Sequence, residues 1–532
     1  MVRTASDSPA TRVPATTRAA ALALVALGFG VRLLGIFGGQ ARLFQQWPTE
    51  DGYLMLTVAR NLSLGLGMST AEGTLPTNGV QPLATLLWAG CFAIVGGDKA
   101  AGVRLVLLLS TALAALGGWA VYRLALRVLA GRANADAHAL LAAALWFASP
   151  QIVQASMNGL ETGLLLAVTA LSANAFAAWA ADPTRALGAA RTLGLGLWCG
   201  LLFWSRVDGV FLIGAICAVR VLMSAGDGLG VLVRRAGEGA GIGFTALLAG
   251  APWMLNNFVK FGSIVPISGS AEGSGASFAQ NLPMAPAKLL ELITITGLVP
   301  RAIEARPLVI AVCSVLVLAW LALMAPFVRR GSAALRATAA IFAIQGALLF
   351  AYYGLVFGAG YFLARYFTPL SIFAAILSVA WLGERAARSR QWRVFANAAL
   401  VAACAIAVAL HARNYLGALP HQHQQVVTWV ERNVPDQVWV GAVQTGTLGF
   451  FHDRTINLDG KVNPDALAAR LAGRTQAYVV DSPIQYVADW AGIAAWAETP
   501  PMRGSFELLV NDEAHNLAVL RRIGAPETDG AP

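Results

Sequence analysis

The chain alternates long apolar segments with short polar ones and ends in a more polar C-terminal portion. A helix needs about 20 apolar residues to cross a bilayer. Eleven segments are candidates for such a helix, and the pattern therefore predicts a polytopic α-helical membrane protein. These segments are residues 19–39, 102–126, 139–157, 163–181, 192–204, 209–224, 241–258, 307–328, 335–357, 369–383 and 394–411.

Composition and charge narrow the class of protein further. Hydrophobic residues make up 57% of the 532-residue chain and charged residues only 12%, about half the charged share of a soluble domain. The net charge is +10, but most arginines lie in short clusters between apolar segments. That distribution is typical of the positive-inside rule. We therefore exclude a soluble enzyme and expect no nucleic acid partner.

The arginine clusters also decide the topology around one further apolar stretch, residues 82–97. If this stretch does not cross the membrane, every arginine-rich loop lies on the cytoplasmic side. If it did cross, all later loops would change sides. We therefore predict an interfacial or re-entrant helix at 82–97 within a first outer loop, residues 40–101. The same argument places the C-terminus outside the cytoplasm.

Three domains follow from these boundaries. Residues 1–18 are predicted to be a disordered cytoplasmic tail, and residues 19–411 the transmembrane domain. A later outer loop, residues 256–306, contains an apolar stretch at 287–298 that is too short to cross and predicts another interfacial helix.

The remaining residues, 412–532, have the composition of a small soluble α/β domain. Their periodicity alternates between helical and extended segments. Helices are predicted at 424–433, 464–472 and 483–495, strands at 438–443, 455–458 and 477–481, and a hairpin at 508–520.

Two adjacent carboxylates, Glu50 and Asp51, follow the first apolar segment. Carboxylates near a membrane are costly unless they face water or a site. An ionised carboxylate in such a place can accept a proton from a hydroxyl group, as a general base does. The pair could equally stabilise the start of a helix capped by Thr49.

Other outer segments carry polar residues that could bind a substrate. The candidates are Asn78, Glu161, Asp208 and Ser268. Asn78 precedes a glycine and could instead belong to a turn. Asp208 lies two residues after Arg206, and this pair could be a short salt bridge between helices.

The outer segments also contain cations suited to an anionic ligand. Arg365 is followed by Tyr366 between two aromatic-rich spans, at the level where a lipid phosphate lies. Arginine binds phosphate through several donors, although it can also anchor a helix at the interface. Arg206 and Lys260 are further candidates.

Taken in order, these segments resemble the integral-membrane GT-C glycosyltransferases. This superfamily includes the protein O-mannosyltransferases, the lipid A aminoarabinose transferase and the mycobacterial terminal arabinofuranosyltransferases. The segments are Glu50-Asp51-Gly52-Tyr53, Thr77-Asn78-Gly79, Gly159-Leu160-Glu161-Thr162, Arg206-Val207-Asp208, Val265-Pro266-Ile267-Ser268-Gly269, Arg365-Tyr366-Phe367 and Asn457-Leu458-Asp459-Gly460.

The resemblance implies an inverting transfer of a hexose or pentose from a polyprenyl-phosphate donor. The acceptor would be a hydroxyl group of an envelope glycan or glycolipid. It also implies a bacterial inner-membrane protein whose active site and C-terminal domain face the periplasm. The superfamily's acidic pair is usually Asp-Asp or Asp-Glu, and here it is Glu50-Asp51, which leaves the identity of the base open. Arg365, Tyr366, Arg206 and Lys260 would bind the donor phosphate.

No cofactor is predicted with certainty. A divalent cation such as magnesium, manganese or calcium could bind Glu50, Asp51 and Glu161, but only if they converge. Asp459 either matches a family pattern or forms a turn at a strand end.

Alternatives of function remain open from the sequence. The acceptor could be a protein, which would make the chain a protein O-glycosyltransferase. A lipid or solute transporter would be expected to have polar residues in the middle of its spans and two halves related by an internal repeat. A scaffold that displays the C-terminal domain would not need acidic residues in three outer loops.

Overall fold

Long apolar helices form the chain as far as residue 416, and a mixed α/β domain follows. The computed structural model describes residues 13–181, 186–223, 228–294, 299–358, 363–419 and 423–524. The membrane part contains α1 (Ala15–Phe37), α2 (Gln40–Gln45), α3 (Glu50–Ser63), α4 (Pro82–Ile94), α5 (Lys99–Val128), α6 (Ala135–Ala148), α7 (Pro150–Met157), α8 (Thr162–Ala180), α9 (Gly188–Ser205), α10 (Val210–Leu222), α11 (Leu229–Phe261), α12 (Ile267–Gly273), α13 (Ala285–Thr294), α14 (Pro307–Arg329), α15 (Ala333–Leu349), α16 (Leu363–Phe367), α17 (Ser371–Arg388) and α18 (Arg390–Leu416).

Shorter elements complete this part. A two-stranded antiparallel ribbon in the first outer loop pairs β1 (Ser69–Thr70) with β2 (Leu75–Pro76). A π-helical turn continues α15, and single turns of 3-10 helix connect other elements. These are the π-helical turn Phe350–Val356 and the 3-10 turns Ala71–Gly73, Val207–Gly209 and Thr368–Leu370.

Eight helical segments in the described residues are long and apolar enough to cross a membrane, or nine if the bent pair α6–α7 is one span. The sequence predicted eleven spans. The two that fall short are residues 192–204 and 209–224, where α9 and α10 have 18 and 13 residues. They are helical as predicted, but α10 is too short, and α9 contains too few strongly apolar residues. The fold is that of a multi-pass helical membrane protein.

The apolar stretch at 82–97 forms α4, whose 13 residues are too few to cross a bilayer. The second predicted interfacial helix corresponds to α13, and residues 295–298 of that prediction lie outside the described residues. Of the predicted N-terminal tail, residues 1–12 also lie outside them, while residues 15–18 belong to α1.

The C-terminal domain contains a five-stranded mixed sheet with strand order β4-β3-β5-β7-β6. Strand β3 pairs in parallel with β4 and β5, and β7 pairs antiparallel with β5 and β6. Helices cover the sheet. The elements are α19 (Gln424–Asn433), β3 (Val440–Ala442), α20 (Gly446–Phe451), β4 (Thr455–Asn457), α21 (Pro464–Leu471), α22 (Thr475–Asp481), β5 (Tyr486–Asp489), the 3-10 segment Ala491–Glu498, β6 (Phe506–Asp512) and β7 (Leu517–Arg522).

Two predicted elements of this domain were wrong. Residues 477–481 form part of helix α22, although an extended strand was expected. Residues 483–495 were expected to be a helix, but they contain strand β5 followed by a 3-10 segment. Short apolar runs fit both structures, and here the strand is the run that lies between β3 and β7.

The C-terminal domain packs on the first outer loop. Phe450 of α20 is 1% exposed, and its ring centroid lies 5.0 Å from that of Tyr53 and 6.2 Å from that of Phe92. Asp453 forms ion pairs with Arg60 at 3.1 Å and with Lys99 at 3.2 Å. Apolar packing with flanking ion pairs therefore holds the domain above α3.

Candidate active site

A cavity of about 310 Å³ lies where the start of α3, helix α12, the π-helical turn, α16 and the C-terminal domain meet. This volume is typical of a small-molecule site. The fold brings together polar residues from widely separated parts of the chain. The polar lining comprises Asp51, Gln81, Glu161, Arg206, Asp208, Ser268, Glu272, Tyr352, Tyr353, Arg365, Tyr366 and Lys461.

Asp51 lies in the first turn of α3, which Thr49 caps by accepting a hydrogen bond from the Gly52 amide at 3.2 Å. Its Oδ2 accepts a hydrogen bond from Arg365 Nη1, and its Oδ1 accepts one from Lys461 Nζ, both at 3.3 Å. Burial raises the pKa of Asp51, but the charges of Lys461 and Arg365 outweigh burial and hold this pKa below its ordinary value. Asp51 is therefore ionised.

Glu50, the other candidate base, is not part of the cavity lining and binds the C-terminal domain instead. It accepts hydrogen bonds from the Gly446 amide, from the Thr447 amide at 3.1 Å and from the Thr447 hydroxyl at 2.6 Å. A Cβ atom at Gly446 would lie 1.8 Å from the Glu50 carbonyl oxygen. Only glycine permits this approach, so Glu50 joins α3 to α20.

Arg206 forms a buried charge cluster with two carboxylates. Its Nη2 lies 3.0 Å from Asp208, its Nε lies 3.6 Å from Glu161, and Tyr353 donates a 2.8 Å hydrogen bond to Asp208. Arg206 is 4% exposed, and its Nη1 has no hydrogen-bond partner within the described residues. Arg206 lines the cavity, and it is the side-chain type best suited to an anionic ligand.

The ring of Tyr366 lies close to one other tyrosine and two guanidinium groups. The Tyr353 ring stacks on it at 3.9 Å between centroids, with the planes 2° apart. The guanidinium carbon of Arg206 lies 4.5 Å from the Tyr366 ring centroid, and that of Arg365 lies 5.2 Å away. These cation–π contacts place two positive charges near one wall of the cavity.

Three other predicted residues have different positions. Ser268 lines the cavity. Asn78 is buried and accepts a hydrogen bond from the Ile267 amide at 3.0 Å, so it connects the first outer loop to α12 without lining the cavity. Lys260 is exposed at the end of α11 and lies outside the lining, which does not fit the expected contact with a donor phosphate.

Lys461 and Glu272 are residues of the cavity that the sequence did not identify. Their side chains form an ion pair at 2.7 Å. Lys461 directly follows the segment 457–460 that the sequence analysis identified. Asp459 of that segment forms a turn, because its Oδ1 accepts a hydrogen bond from the Lys461 amide at 2.8 Å. Lys461 and Asp51 lie 410 positions apart, so no local pattern indicates their contact.

Glu50, Asp51 and Glu161, the carboxylates considered for a divalent cation, do not converge in the described part of the chain. Within the described ranges, no group of three or more His, Cys, Asp or Glu side chains could hold a metal ion. Glu50 binds α20, Asp51 pairs with two cations, and Glu161 faces Arg206. Because their neighbours are cations and hydrogen-bond donors, these three residues do not fit the divalent cation that the sequence allowed.

The chain has the fold of a multi-pass helical membrane protein, and this fold is similar to that of solved GT-C glycosyltransferase structures. Similar structures include ArnT from Cupriavidus metallidurans in the apo state, with a TM-score of 0.59 at 12% identity over 96% of this chain and 100% of that chain. ArnT bound to undecaprenyl phosphate has a TM-score of 0.58 at 13% identity over 97% and 100%. The oligosaccharyltransferase AglB from Archaeoglobus fulgidus, in complex with an inhibitory peptide and a dolichol-phosphate, has a TM-score of 0.54 at 14% identity over 97% and 75%.

The sequence comparisons concern a smaller part of the chain. Residues 413–516 match a family described as Domain of unknown function (DUF8728), and these residues include most of the C-terminal sheet. No curated protein matches the sequence.

Proposed function

We propose that the protein is an inverting glycosyltransferase that moves a sugar from a polyprenyl-phosphate donor to an acceptor hydroxyl group. The observation that carries the proposal is ionised Asp51 in a cavity that also contains the guanidinium groups of Arg365 and Arg206. Such a transfer needs a base and a group that stabilises a leaving phosphate. Structures with this fold have been solved with undecaprenyl phosphate and with a dolichol-phosphate.

The proposed reaction is a single displacement with Asp51 as the general base. Asp51 takes the proton of the acceptor hydroxyl while that oxygen forms a bond to the anomeric carbon of the sugar. The bond between this carbon and the phosphate oxygen breaks, and its electron pair leaves with the phosphate. Asp51 is preferred over Glu50 because it lines the cavity and Glu50 is occupied by α20.

The guanidinium groups would bind the phosphate of the donor and stabilise the charge that develops on it. Arg365 offers a charged donor next to Asp51, and Arg206 offers a second guanidinium group in the cavity lining. Electrostatic stabilisation of this kind is typically worth a few kcal/mol in an enzyme site. No step of this mechanism requires a metal ion.

We further infer that the acceptor is an envelope glycan or glycolipid and that the site faces the periplasm of a bacterial inner membrane. The proposed orientation is supported by the sequence: in the predicted topology, the arginine-rich segments fall on the side of the membrane opposite the first outer loop. A lipid-linked donor suits this arrangement, because Arg365 and Tyr366 precede the apolar helix α17.

The test is turnover by the purified full-length protein with a panel of radiolabelled polyprenyl-phosphate sugars, both hexoses and pentoses. We expect release of polyprenyl phosphate from at least one donor in the presence of envelope glycans. No release from any donor by folded protein would contradict the proposal and would favour transport or a scaffold role.

A binding experiment tests the phosphate site separately. Arg365→Gln should weaken binding of undecaprenyl phosphate by tenfold or more, because it removes a charged donor from the cavity. Arg393→Gln is the matched control, since Arg393 is exposed on α18 outside the cavity. Equal affinities of the two variants would contradict the assigned phosphate site.

A further inference from the structure

Lys461 is a cation that the C-terminal domain inserts into the cavity of the transmembrane domain. Its side chain is 15% exposed, and its Nζ lies 3.3 Å from Asp51, 2.7 Å from Glu272 and 3.8 Å from Asp459. These carboxylates come from α3, α12 and the turn after β4. One buried ammonium group therefore connects three separate parts of the molecule.

The backbone around Lys461 is fitted closely to the first outer loop. A Cβ atom at Gly79 would lie 2.0 Å from the Lys461 carbonyl oxygen. The preceding Gly460 has φ of +83°, and a Cβ atom there would lie 2.6 Å from Leu467 Cα. Both positions require glycine, so the loop that carries Lys461 has little freedom to move away from Asp51.

We propose that Lys461 is a positioning residue of the transfer reaction, which holds the Asp51 carboxylate against Arg365 in the orientation that receives the acceptor proton. This inference rests on the proposed function. It assigns the C-terminal domain a direct part in the active site, because the transmembrane domain alone supplies only one of the two cations that bind Asp51.

The hydrogen bonds and ion pairs around Asp51 can persist when Asp51 takes up a proton. Each carboxylate oxygen of Asp51 has a second lone pair, so the acceptor hydroxyl can donate to Asp51 while Arg365 and Lys461 stay bound. When Asp51 takes the proton and becomes neutral, Lys461 keeps its 2.7 Å ion pair with Glu272. Lys461 therefore does not have to lose its own charge during the reaction.

The charges around Asp51 give a pH-dependent readout. Arg365 and Lys461 face Asp51 directly, and Asp459 and Glu272 lie on the far side of Lys461. Removing Lys461 takes away a positive charge that stabilises ionised Asp51 and that also neutralises Asp459 and Glu272. The remaining negative charges then raise the pKa of Asp51. A base with a raised pKa becomes protonated at a higher pH, so the low-pH limb of the activity profile moves upward.

The experiment compares the pH dependence of kcat/KM in wild type, Lys461→Met and Lys461→Arg with a donor that wild type turns over. We expect Lys461→Met to lower kcat and to shift the acidic limb upward by about one pH unit or more, since an adjacent opposite charge commonly lowers a carboxyl pKa by that amount. Lys461→Arg should restore the limb in part. Arg432→Met, an exposed change of equal charge on α19, should leave the profile unchanged.

An unshifted acidic limb in folded Lys461→Met, with wild type active, would overturn the positioning role and leave the proposed function intact. If Lys461→Met does not fold, Lys461→Gln, which also removes the charge, is measured in its place, and an unshifted acidic limb in that folded variant would overturn the role. Absence of turnover in wild type would instead contradict the proposed function itself.

A second inference concerns the opposite end of the spanning helices, where a cavity of about 510 Å³ lies. Its lining includes Arg132, Arg330, Arg385 and Arg388 but only one acidic residue, Glu384. Helix α5 separates this cavity from the C-terminal domain: its first residue contacts that domain, and its 30 residues extend about 45 Å. The cavity is therefore distinct from the candidate active site.

The charges in this cavity are only partly neutralised. Glu384 pairs with Arg132 and lies 3.9 Å from Arg388. Arg330 and Arg385 have no carboxylate partner within the described part of the chain, and Arg385 lies over the ring of Trp381 at 5.3 Å. Two uncompensated guanidinium groups at the end of apolar helices suit a phosphate group at the membrane interface.

We infer that this cavity binds the headgroup of an anionic phospholipid. The adjoining surface supports a lipid over a soluble anion, because Leu323 both lines the cavity and is 45% exposed on α14. Other apolar residues of α14, such as Val315 and Leu316, are also exposed. Acyl chains can therefore lie along α14 while the phosphate meets the arginines.

The test is native mass spectrometry of the full-length protein in detergent, titrated with phosphatidylglycerol or phosphatidylcholine. We expect phosphatidylglycerol to bind more tightly, and the double variant Arg330→Gln/Arg385→Gln to weaken that binding by roughly tenfold or more. The control Arg390→Gln/Arg393→Gln makes the same charge change on α18 outside the cavity. Equal binding by both double variants, or displacement of the lipid by millimolar inorganic phosphate, would overturn the inference.

Discussion

At the scale of residues, the molecule gives two adjacent carboxylates different tasks. Asp51 is held in the cavity by Arg365 and Lys461, whereas Glu50 accepts the amide and hydroxyl hydrogens of Thr447. The difference follows from their places on α3, because successive residues of a helix point in directions about 100° apart. A first-turn carboxylate also gains from the helix dipole, so both acids stabilise α3 whatever else they do.

Arg206 provides a test of how the buried charges depend on one another. Arg206→Met leaves Asp208 and Glu161 buried without their common cation, and breaking a buried pair typically costs about 3–5 kcal/mol. We expect a lower melting temperature and weaker binding of undecaprenyl phosphate. The measurement is thermal unfolding in detergent, and Arg393→Met is the control. Unchanged stability of Arg206→Met would show that the cluster is not coupled as its distances indicate.

At the scale of elements, the close contact between α3 and α20 depends on a glycine, Gly446. Glu50 closes over the start of α20 only because position 446 is glycine. The turn that carries Asn158 approaches the start of α3 in the same way, since a Cβ atom at Gly52 would lie 2.1 Å from the Asn158 carbonyl oxygen. Small residues therefore set how closely the elements around the site approach.

Gly446→Ala should consequently displace α20 from α3. Overpacking of this kind typically costs about 1–3 kcal/mol, and we expect lower thermal stability together with reduced turnover. Gly492→Ala is the matched control, because a Cβ atom at Gly492 would have no neighbour within 4 Å. The prediction fails if both variants melt at the same temperature.

At the scale of the whole molecule, apolar packing rather than surface ion pairs should hold the two domains together. Phe450 is fully buried against the first outer loop, whereas the side chain of Asp453 is 42% exposed. Removing a buried phenylalanine side chain typically costs about 3–5 kcal/mol. A pair as exposed as that between Asp453 and Arg60 is screened by solvent and is worth about 1 kcal/mol or less.

We therefore expect Phe450→Ala to make the C-terminal domain susceptible to proteolysis and Asp453→Asn to have little effect. Limited proteolysis followed by mass spectrometry measures the rate of cleavage. Faster cleavage in Asp453→Asn than in Phe450→Ala would reverse the assigned order of the two contributions.

The sequence predicted the architecture because the length of each apolar segment and the distribution of arginines between segments can be determined without tertiary contacts. The apolar segments correspond to helices, and α4 is too short to cross, as the arginine argument required. The errors lie where tertiary contacts decide between two local structures, as in α22 and β5. Two of the eleven predicted spans, α9 and α10, are helical but are shorter or less apolar than the eight or nine segments that could cross by length and composition.

The site was predictable to the extent that its residues belong to ordered segments of the chain. Asp51 was predictable because a carboxylate beside an apolar segment is costly, and Arg206 and Arg365 were predictable because arginine between spans suits a phosphate group. Lys461 and Glu272 stand in polar surroundings that give no such signal, and only the docking of the C-terminal domain brings them to Asp51. Lys260 had the expected residue type but lies outside the cavity lining.

The central claim is that Asp51 is the base of a transfer from a lipid-phosphate donor. The most direct measurement is single-turnover release of polyprenyl phosphate by Asp51→Asn and Glu50→Gln, with a donor that wild type uses and with folding checked by thermal unfolding. We predict that Asp51→Asn lowers the rate by about 10²–10⁴-fold, the usual contribution of a general base, and that Glu50→Gln retains most of the rate. Full activity of folded Asp51→Asn would contradict the account.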